Sequence, residues 1–278
     1  MNGGPRSACV VGWPVTHSRS PQIHEYWIRQ HGLAGAYRRE EVMPDTFEEF
    51  IRSLAARGYC GANVTLPHKE AALALSVPDD RAQAVGAANT LWLEGDVLRS
   101  TNSDVEGFTA NLDASVPGWD ARLGEVVVLG AGGAARAIVC GLIERGFQHI
   151  HVVNRTLGRA EALKARFGSA VQPAHWSAVP HLLPRAAMLI NATSLGMAGQ
   201  RPLEIDLAPL HRDTVVADIV YVPLVTPLLA AARARGLATA DGLGMLLHQA
   251  VRGFSLWFGV RPEVTPELRA MLEADIGC

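Results

Sequence analysis

Lys69 closes the run NVTLPHK, residues 63 to 69, and Asp104 closes STNSD, residues 100 to 104. A lysine ammonium partnered by a carboxylate can give or take a proton while a hydride moves, which is the proton chemistry that dehydrogenases need. Asn63 and Thr65 fall at the C-terminal end of a β-type run, the edge at which α/β sheets bind substrates. Lys69 lies just past Pro67, where a helix begins, and Asn102 and Asp104 sit where the first half of the chain hands over to the second. A plainer reading of the same residues stays open. A lysine near a helix start is usually solvated, and Asp104 with Glu106 can simply cap the next helix.

A second group of residues suits a dinucleotide. GAGGAA, Gly130 to Ala135, satisfies G-x-G-x-x-G/A, follows the apolar run EVVVL and precedes the helical stretch ARAIVCGLIERG. Such a turn lets the backbone approach a pyrophosphate and aims amides and a helix N-terminus at it. Glycine turns also serve purely structural ends, so the surrounding βαβ unit carries the reading. An NAD site normally ends its second strand in Asp or Glu, whereas this chain has Asn154, Arg155 and Thr156 after HIHVV. A carboxylate there would repel a 2′-phosphate, and a guanidinium fork suits one. The missing acid therefore points to NADP, with Arg155 as the main cation and Arg159, one helical turn on, as a second; both can also be read as ordinary surface arginines.

The bulk properties remove several alternatives. Charged residues make up 19% of the 278 and the formal net charge is -2, which suggests neither disorder nor a nucleic-acid surface. Cys9, Cys60, Cys140 and Cys278 are scattered, with no metal-ligand spacing, so a reducing cytoplasm with no metal and no disulfide framework is expected. The N-terminal stretch MNGGPRSACVVGWPV lacks the apolar run of a signal peptide. Asp218, Pro223 and Pro227 interrupt the most apolar stretch, residues 214 to 232, so no membrane span is expected.

These groups need elements to hold them. Short β-type runs at 8–12, 59–65 and 88–93 alternate with helical stretches at 21–31, 45–57 and 69–75, which predicts an α/β domain over residues 1 to 105. The longer apolar runs EVVVLG, HIHVVN, AAMLIN and TVVADIV predict a doubly wound parallel sheet of Rossmann type over 106 to 240. Residues 243 to 258 read as a helix and another follows Thr265, so 241 to 278 are expected to return to the first domain.

Nine strings in order and spacing resemble the shikimate dehydrogenase family over residues 9 to 260: HSRSP (17–21), NVTLPHK (63–69), GAANTL (86–91), TNSD (101–104), GAGGAAR (130–136), NRT (154–156), NATSLGM (191–197), DIVYVPLVTPLL (218–229) and DGLGMLLHQA (241–250). The resemblance implies an NADP-dependent enzyme that interconverts 3-dehydroshikimate and shikimate, with Lys69 and Asp104 catalytic. It implies that Ser18, Ser20 and Tyr221 hold the substrate carboxylate, and that Asn63, Thr65, Asn89, Asp104 and Gln249 contact the ring hydroxyls. It places the cofactor on Gly130, Ala131, Gly132, Gly133, Ala134, Asn154, Arg155, Thr156, Arg159, Ile219, Gly242, Met245 and Asp80. Most of these residues also have a plain reading on their own: the serines as caps of the helix starting near Pro21, Gln249 on a solvated helix face, Tyr221 as core. Three positions depart from the family pattern: Ser103 stands where the family usually has threonine, Val105 where it usually has glycine, and Glu25 where it often has asparagine. Two other readings remain: a quinate/shikimate dehydrogenase with relaxed cofactor use, and a silent NADP-binding sensor. The partners expected are small molecules only, on a monomer or homodimer.

Overall fold

The structure, a computed structural model, describes residues 6–277. Cys278 and the first five residues of the N-terminal stretch lie outside that range. The chain divides into two compact units, one made of Met1–Glu106 with Leu247–Leu272 and the other of Gly107–Leu246 with Glu273–Cys278.

The first unit begins with β1 (Arg6–Gly12), α1 (Ser20–Gln30), β2 (Gly35–Glu41), α2 (Phe47–Arg52) and β3 (Tyr59–Val64). It continues with α3 (Lys69–Ala74), β4 (Val77–Pro78), α4 (Asp80–Val85), β5 (Thr90–Glu94), β6 (Val97–Thr101) and the start of α5 (Ser103–Ser115). Its sheet runs β2-β1-β3-β5-β6-β4. The β3–β5 and β5–β6 pairs are antiparallel and the others parallel. β2 was not legible as a strand because its sequence, GAYRREE, has the charged side chains that protect a sheet edge instead of an apolar run. The expected helix over 45–57 shortens to α2. Ser53 Oγ bonds back to the carbonyls of Glu49 and Phe50 at 2.8 and 3.0 Å, a side-chain bond that competes with continued helix.

The second unit holds β7 (Glu125–Leu129), α6 (Gly133–Glu144), β8 (Ile150–Asn154), α7 (Leu157–Phe167), β9 (Val171–His175) and the short α8 (Val179–Leu182). β10 (Ala186–Asn191), β11 (Val215–Asp218), α9 (Pro227–Ala234) and β12 (Ala238–Ala240) complete it. The sheet order is β12-β11-β10-β7-β8-β9, all parallel. It is the doubly wound order, in which the direction of winding reverses between β7 and β10. Separate apolar clusters cover the sheet, one with Ile138, Leu142 and Val152, the other with Leu189, Val216 and Leu229.

The C-terminal segment forms α10 (Gly242–Phe258) and α11 (Pro266–Ile276). Leu247, Ala250, Phe254 and Trp257 of α10 recur every three or four residues and are all buried, the stripe an amphipathic helix must cover. Full burial of such large side chains contributes roughly 1.5–3 kcal/mol each. Phe254 meets Trp27 edge-on at 5.4 Å, and Trp257 donates from Nε1 to the Leu91 carbonyl at 2.8 Å. Leu247–Leu272, most of the last two helices, thus belongs to the first unit, and the division falls inside α10, between Leu246 and Leu247.

His24 lies in this aromatic cluster, fully buried and stacked on Tyr37 at 4.1 Å. Neither ring nitrogen makes a hydrogen bond of normal geometry among the described residues. Burial pushes its pKa down to about 3 from 6.5, against a smaller upward pull from the Asn63 amide. The unfolded chain therefore takes up this proton near pH 6.5 and the folded chain only near 3. The stabilisation is complete above pH 6.5 and drains as pH falls toward 3, by at most about 1.4 kcal/mol per pH unit. Thermal melting of the parent and of His24→Phe from pH 7 to pH 4 should show a shallower loss in the variant; parallel curves would rule this out.

Candidate active site

Register places the first polar row. Asn63 on β3 pairs opposite Thr90 on β5, and Thr90 pairs opposite Thr101 on β6. The loops beyond these strands are stitched to one another. The Val64 amide donates to the Asn89 carbonyl at 2.8 Å, the Ala88 amide to the Lys69 carbonyl at 2.9 Å, and the Asn89 amide to the Thr101 carbonyl at 3.1 Å. Lys69 opens α3, and the residue before it, His68, is held by a 2.7 Å bond between Nε2 and the Val42 carbonyl and by stacking on Phe47 at 4.2 Å.

This scaffold brings the two reacting candidates together. Lys69 Nζ donates to Asp104 Oδ2 at 2.5 Å, with the side chains 22% and 14% exposed. The pair is open enough to meet a ligand and enclosed enough to be fixed. Asn89 Nδ2 donates to the other carboxylate oxygen at 2.8 Å, and Asn89 Oδ1 accepts from the Ser103 amide at 2.7 Å. Asp104 is thus not a helix cap. Asn102 supplies that contact, its Oδ1 accepting from the Asp104 amide at 3.1 Å. Val105, where the family pattern has glycine, sits within α5 fully buried, and among the described residues none other than glycine has positive φ. The helical backbone therefore does not need glycine there.

Ser18 and Ser20 are only in part a cap. Ser20 is the first residue of α1, and Ser18 Oγ accepts from its amide at 3.3 Å while donating to Ser20 Oγ at 3.2 Å. The Arg39 guanidinium fixes the loop by two bonds to the Ser18 carbonyl at 3.0 and 2.7 Å. Thr65 is half-buried beyond β3, and its amide donates to the Val11 carbonyl at 2.9 Å. Gln249 is 8% exposed, its Oε1 lying 3.5 Å from Ser103 Oγ, so it is not on a solvated face. Tyr221, on the second unit, is half-exposed and not core. Tyr37, Thr90 and Ser103 belong to the same polar network. Thr90 and Ser103 lie inside GAANTL and TNSD, but only the fold shows their hydroxyls bonded to the site asparagines, and Tyr37 sits in the edge strand β2 with no motif of its own.

The glycine turn lies at the end of β7. Gly130 has φ +103°, and an added Cβ would sit 2.9 Å from the Ala192 carbonyl oxygen, so glycine is required twice over. A Cβ at Gly132 or Gly133 would meet nothing within 4 Å. No side chain caps α6 at Gly132, which leaves its first-turn amides directed at an anion. A cavity of about 480 Å³ adjoins the turn, lined by Ala131, Gly132, Arg136, Arg159, Ala162, Leu163 and Arg166. Three arginines and no carboxylate line it. These features fit the pyrophosphate and 2′-phosphate of NADP. Arg136 lies within GAGGAAR, and Arg159 and Arg166 share one face of α7 at i, i+7, so a helical projection of both segments would have exposed the extra cations.

Other cofactor candidates distribute less evenly. Arg155 is exposed and does not line that cavity, and Asn154 Nδ2 bonds the Thr156 carbonyl at 2.9 Å, shaping the turn into α7. Ile219 is held by its amide on the Asn191 carbonyl at 3.1 Å, and Gly242 lies so close to the Ile219 carbonyl that a Cβ would collide with it. Asp218 anchors this edge. It accepts from Asn191 Nδ2 at 2.9 Å, the Val220 amide at 3.0 Å and Thr226 Oγ1 at 2.7 Å, and burial pushes its pKa up to about 6. Met245 is 9% exposed in the first turns of α10. Asp80 belongs to the first unit, exposed at the start of α4.

A nicotinamide-dependent oxidoreductase needs a proton carrier and a dinucleotide cradle, and this chain offers a candidate for each: the Lys69–Asp104 pair and the glycine turn beside the arginine-lined cavity. Family models agree in detail: a shikimate dehydrogenase substrate binding domain matches residues 10–91, a shikimate/quinate 5-dehydrogenase model 118–220 and a shikimate 5′-dehydrogenase C-terminal domain 242–273. The chain belongs to the shikimate dehydrogenase family. It is 64% identical over 271 residues to a shikimate dehydrogenase (NADP(+)) of Nitrobacter hamburgensis, covering 98% of this chain and 95% of that protein. Among solved structures it resembles the Thermus thermophilus shikimate 5-dehydrogenase in complex with NADP(H) and shikimate (33% identity, TM-score 0.86, 98% of this chain and 99% of that one). It also resembles the Corynebacterium glutamicum quinate dehydrogenase in complex with NAD (31%, TM-score 0.90, 97% and 99%).

Proposed function

We propose that Lys69 and Asp104 move the proton in the NADP-dependent interconversion of 3-dehydroshikimate and shikimate, the reaction of this chain as a member of its family. The ion pair at 2.5 Å, set among neutral asparagines, carries the proposal. NADPH, when bound, supplies the hydride. In reduction Lys69 Nζ gives a proton to the oxygen of the former carbonyl, and in oxidation it takes that proton back. Asp104 Oδ2 keeps the ammonium oriented, while Asn89, tied to the Ser103 amide, keeps the carboxylate oriented. The first unit is read as the substrate domain, and Ser18, Ser20, Thr65, Asn63, Asn89 and Gln249 from it serve the carboxylate and the ring hydroxyls; Tyr221 is assigned to the carboxylate as well. The second unit is read as the NADP domain, using Gly130 to Ala134, Asn154 to Thr156, Arg159, Ile219, Gly242 and Met245, with Asp80 a further contact.

Neutral hydrogen-bonding groups suit a polyhydroxylated ring, since such sites discriminate strongly against analogues lacking a hydroxyl. Likeness to a quinate dehydrogenase supports a second reading, turnover of quinate beside shikimate. A spectrophotometric assay offering both acids with each of NADP and NAD decides between them. Shikimate with NADP should dominate, and failure to oxidise shikimate would sink the proposal. Ser18→Ala and Ser20→Ala are expected to raise KM for shikimate about tenfold or more, the scale of one lost hydrogen bond to a charged group, with KM for NADP little changed. A rise confined to NADP would reverse the assignment of the serines. Among the described residues no helix is long and apolar enough to cross a membrane. Free thiols at Cys9, Cys60 and Cys140 support a reducing, cytoplasmic setting. We propose assembly as a monomer or homodimer, which light scattering would resolve.

A further inference from the structure

The hydrogen-bonding capacity of the two site asparagines is nearly used up inside the protein, and what remains is of opposite sign. Asn63 Nδ2 has two hydrogens, directed at the Asn89 carbonyl at 3.3 Å and Thr90 Oγ1 at 3.2 Å. Its Oδ1 accepts from the Tyr37 hydroxyl at 2.6 Å, and the same amide bears on the buried His24 ring. Asn89 Oδ1 is filled by the Ser103 amide and one of the hydroxyls of Thr90 and Ser103, while one Nδ2 hydrogen is left after the bond to Asp104. To a ligand hydroxyl Asn63 can therefore offer only an acceptor, and Asn89 only a donor.

Tyr37 decides the first of these. It is 2% exposed on β2 and cannot touch a ligand. Its ring is held face-on by His24 at 4.1 Å, and its phenol oxygen is also hydrogen-bonded by the Ser20 side chain. Ser18 Oγ donates in turn to Ser20 Oγ. A single line of hydroxyls thus runs from the two serines through Tyr37 to Asn63 Oδ1. We infer that Tyr37 is a positioning residue for substrate binding: through its hydroxyl it clamps the Asn63 amide as an acceptor and links it to Ser18 and Ser20. The inference rests on the proposed assignment of Asn63 and the serines to the substrate. The contacts that hold Asp104, from Lys69 and Asn89, do not pass through Tyr37, so its loss bears on binding and not on proton transfer.

Removing only the hydroxyl leaves Asn63 Oδ1 buried without its donor, and the amide then turns and draws Nδ2 off its partners. Tyr37→Phe should weaken shikimate binding, measured as Kd by calorimetry without cofactor, about 5- to 10-fold, the scale of one neutral hydrogen bond. KM for shikimate should follow and the melting temperature should fall by a few degrees, the cost of an unsatisfied buried acceptor, while kcat and KM for NADP stay close to the parent values. In an Asn63→Ala background the same substitution should change Kd less than about twofold, because residues acting through one another are non-additive. A Tyr37→Phe enzyme with unchanged Kd, beside an Asn63→Ala enzyme whose Kd rises, overturns the role of Tyr37 and leaves the site reading intact. Full additivity of the two also overturns it. An unchanged Kd in Asn63→Ala removes the site assignment and this inference with it.

Discussion

Lys69→Ala should lower kcat about 100-fold or more, the usual scale for losing a general acid or base, while NADP still binds almost normally. The size follows from the geometry. Lys69 Nζ is the cationic donor on Asp104, and Asn89, on the other carboxylate oxygen, is a neutral amide that cannot supply a proton at ordinary pH. Cofactor affinity is spared because the glycine turn and the arginine-lined cavity lie on the other unit. Asp104→Asn should also lower kcat, and should raise KM for shikimate because the same carboxylate is assigned to a ring hydroxyl. The asparagine amide would face the ammonium in one of its two orientations, so Lys69 loses its counter-charge and its aim together. Since both residues serve one proton, the double variant should lose far less than the product of the two single losses. Steady-state kinetics in both directions check this. Independent, multiplicative losses would show that the two do not act as a unit, and a Lys69→Ala enzyme with near-parental kcat would remove the assignment.

Arg155→Ala is the second large effect, a shift of tenfold or more in the ratio of KM for NADP to KM for NAD. A charge-assisted hydrogen bond to the 2′-phosphate is worth roughly 1.5–3 kcal/mol, and NAD has no such group. Arg159→Ala is expected to act in the same direction, because Arg159 lines the cavity beside Gly132 together with Arg136 and Arg166. Arg155 is exposed and outside the cavity that Arg159 lines, so its share should shrink at high salt more than that of Arg159. KM values for both cofactors at two ionic strengths measure this. Equal losses for NADP and NAD in Arg155→Ala would exclude the 2′-phosphate as its partner.

Local chemistry alone made much of this molecule legible. GAGGAA needs a strand before it and a helix after it, and the structure has β7 and α6 there. Apolar runs covered on both faces marked β7, β8, β10 and β11, and a three-and-four spacing of apolar residues marked α10. These signals sit within a dozen neighbouring residues, so the chain carries them without help from distant segments. The edge strand β2, with its charges, had no such signal.

Contacts between distant segments were decided only by the folded chain. No spacing brings Lys69 to Asp104; the β3–β5–β6 register and the bonds between the loops that follow those strands do. Tyr37 reaches Asn63 because β1 lies between β2 and β3. Arg136 and Arg166 meet on one cavity because α6 and α7 pack beside the same turn. The split of α10 between the two units depends on which core its apolar stripe enters, and every turn of that stripe is equally apolar. Residue types are inherited along the chain, but distances across it are set by register and packing, and it is distances that turn a lysine, an aspartate and two asparagines into a site.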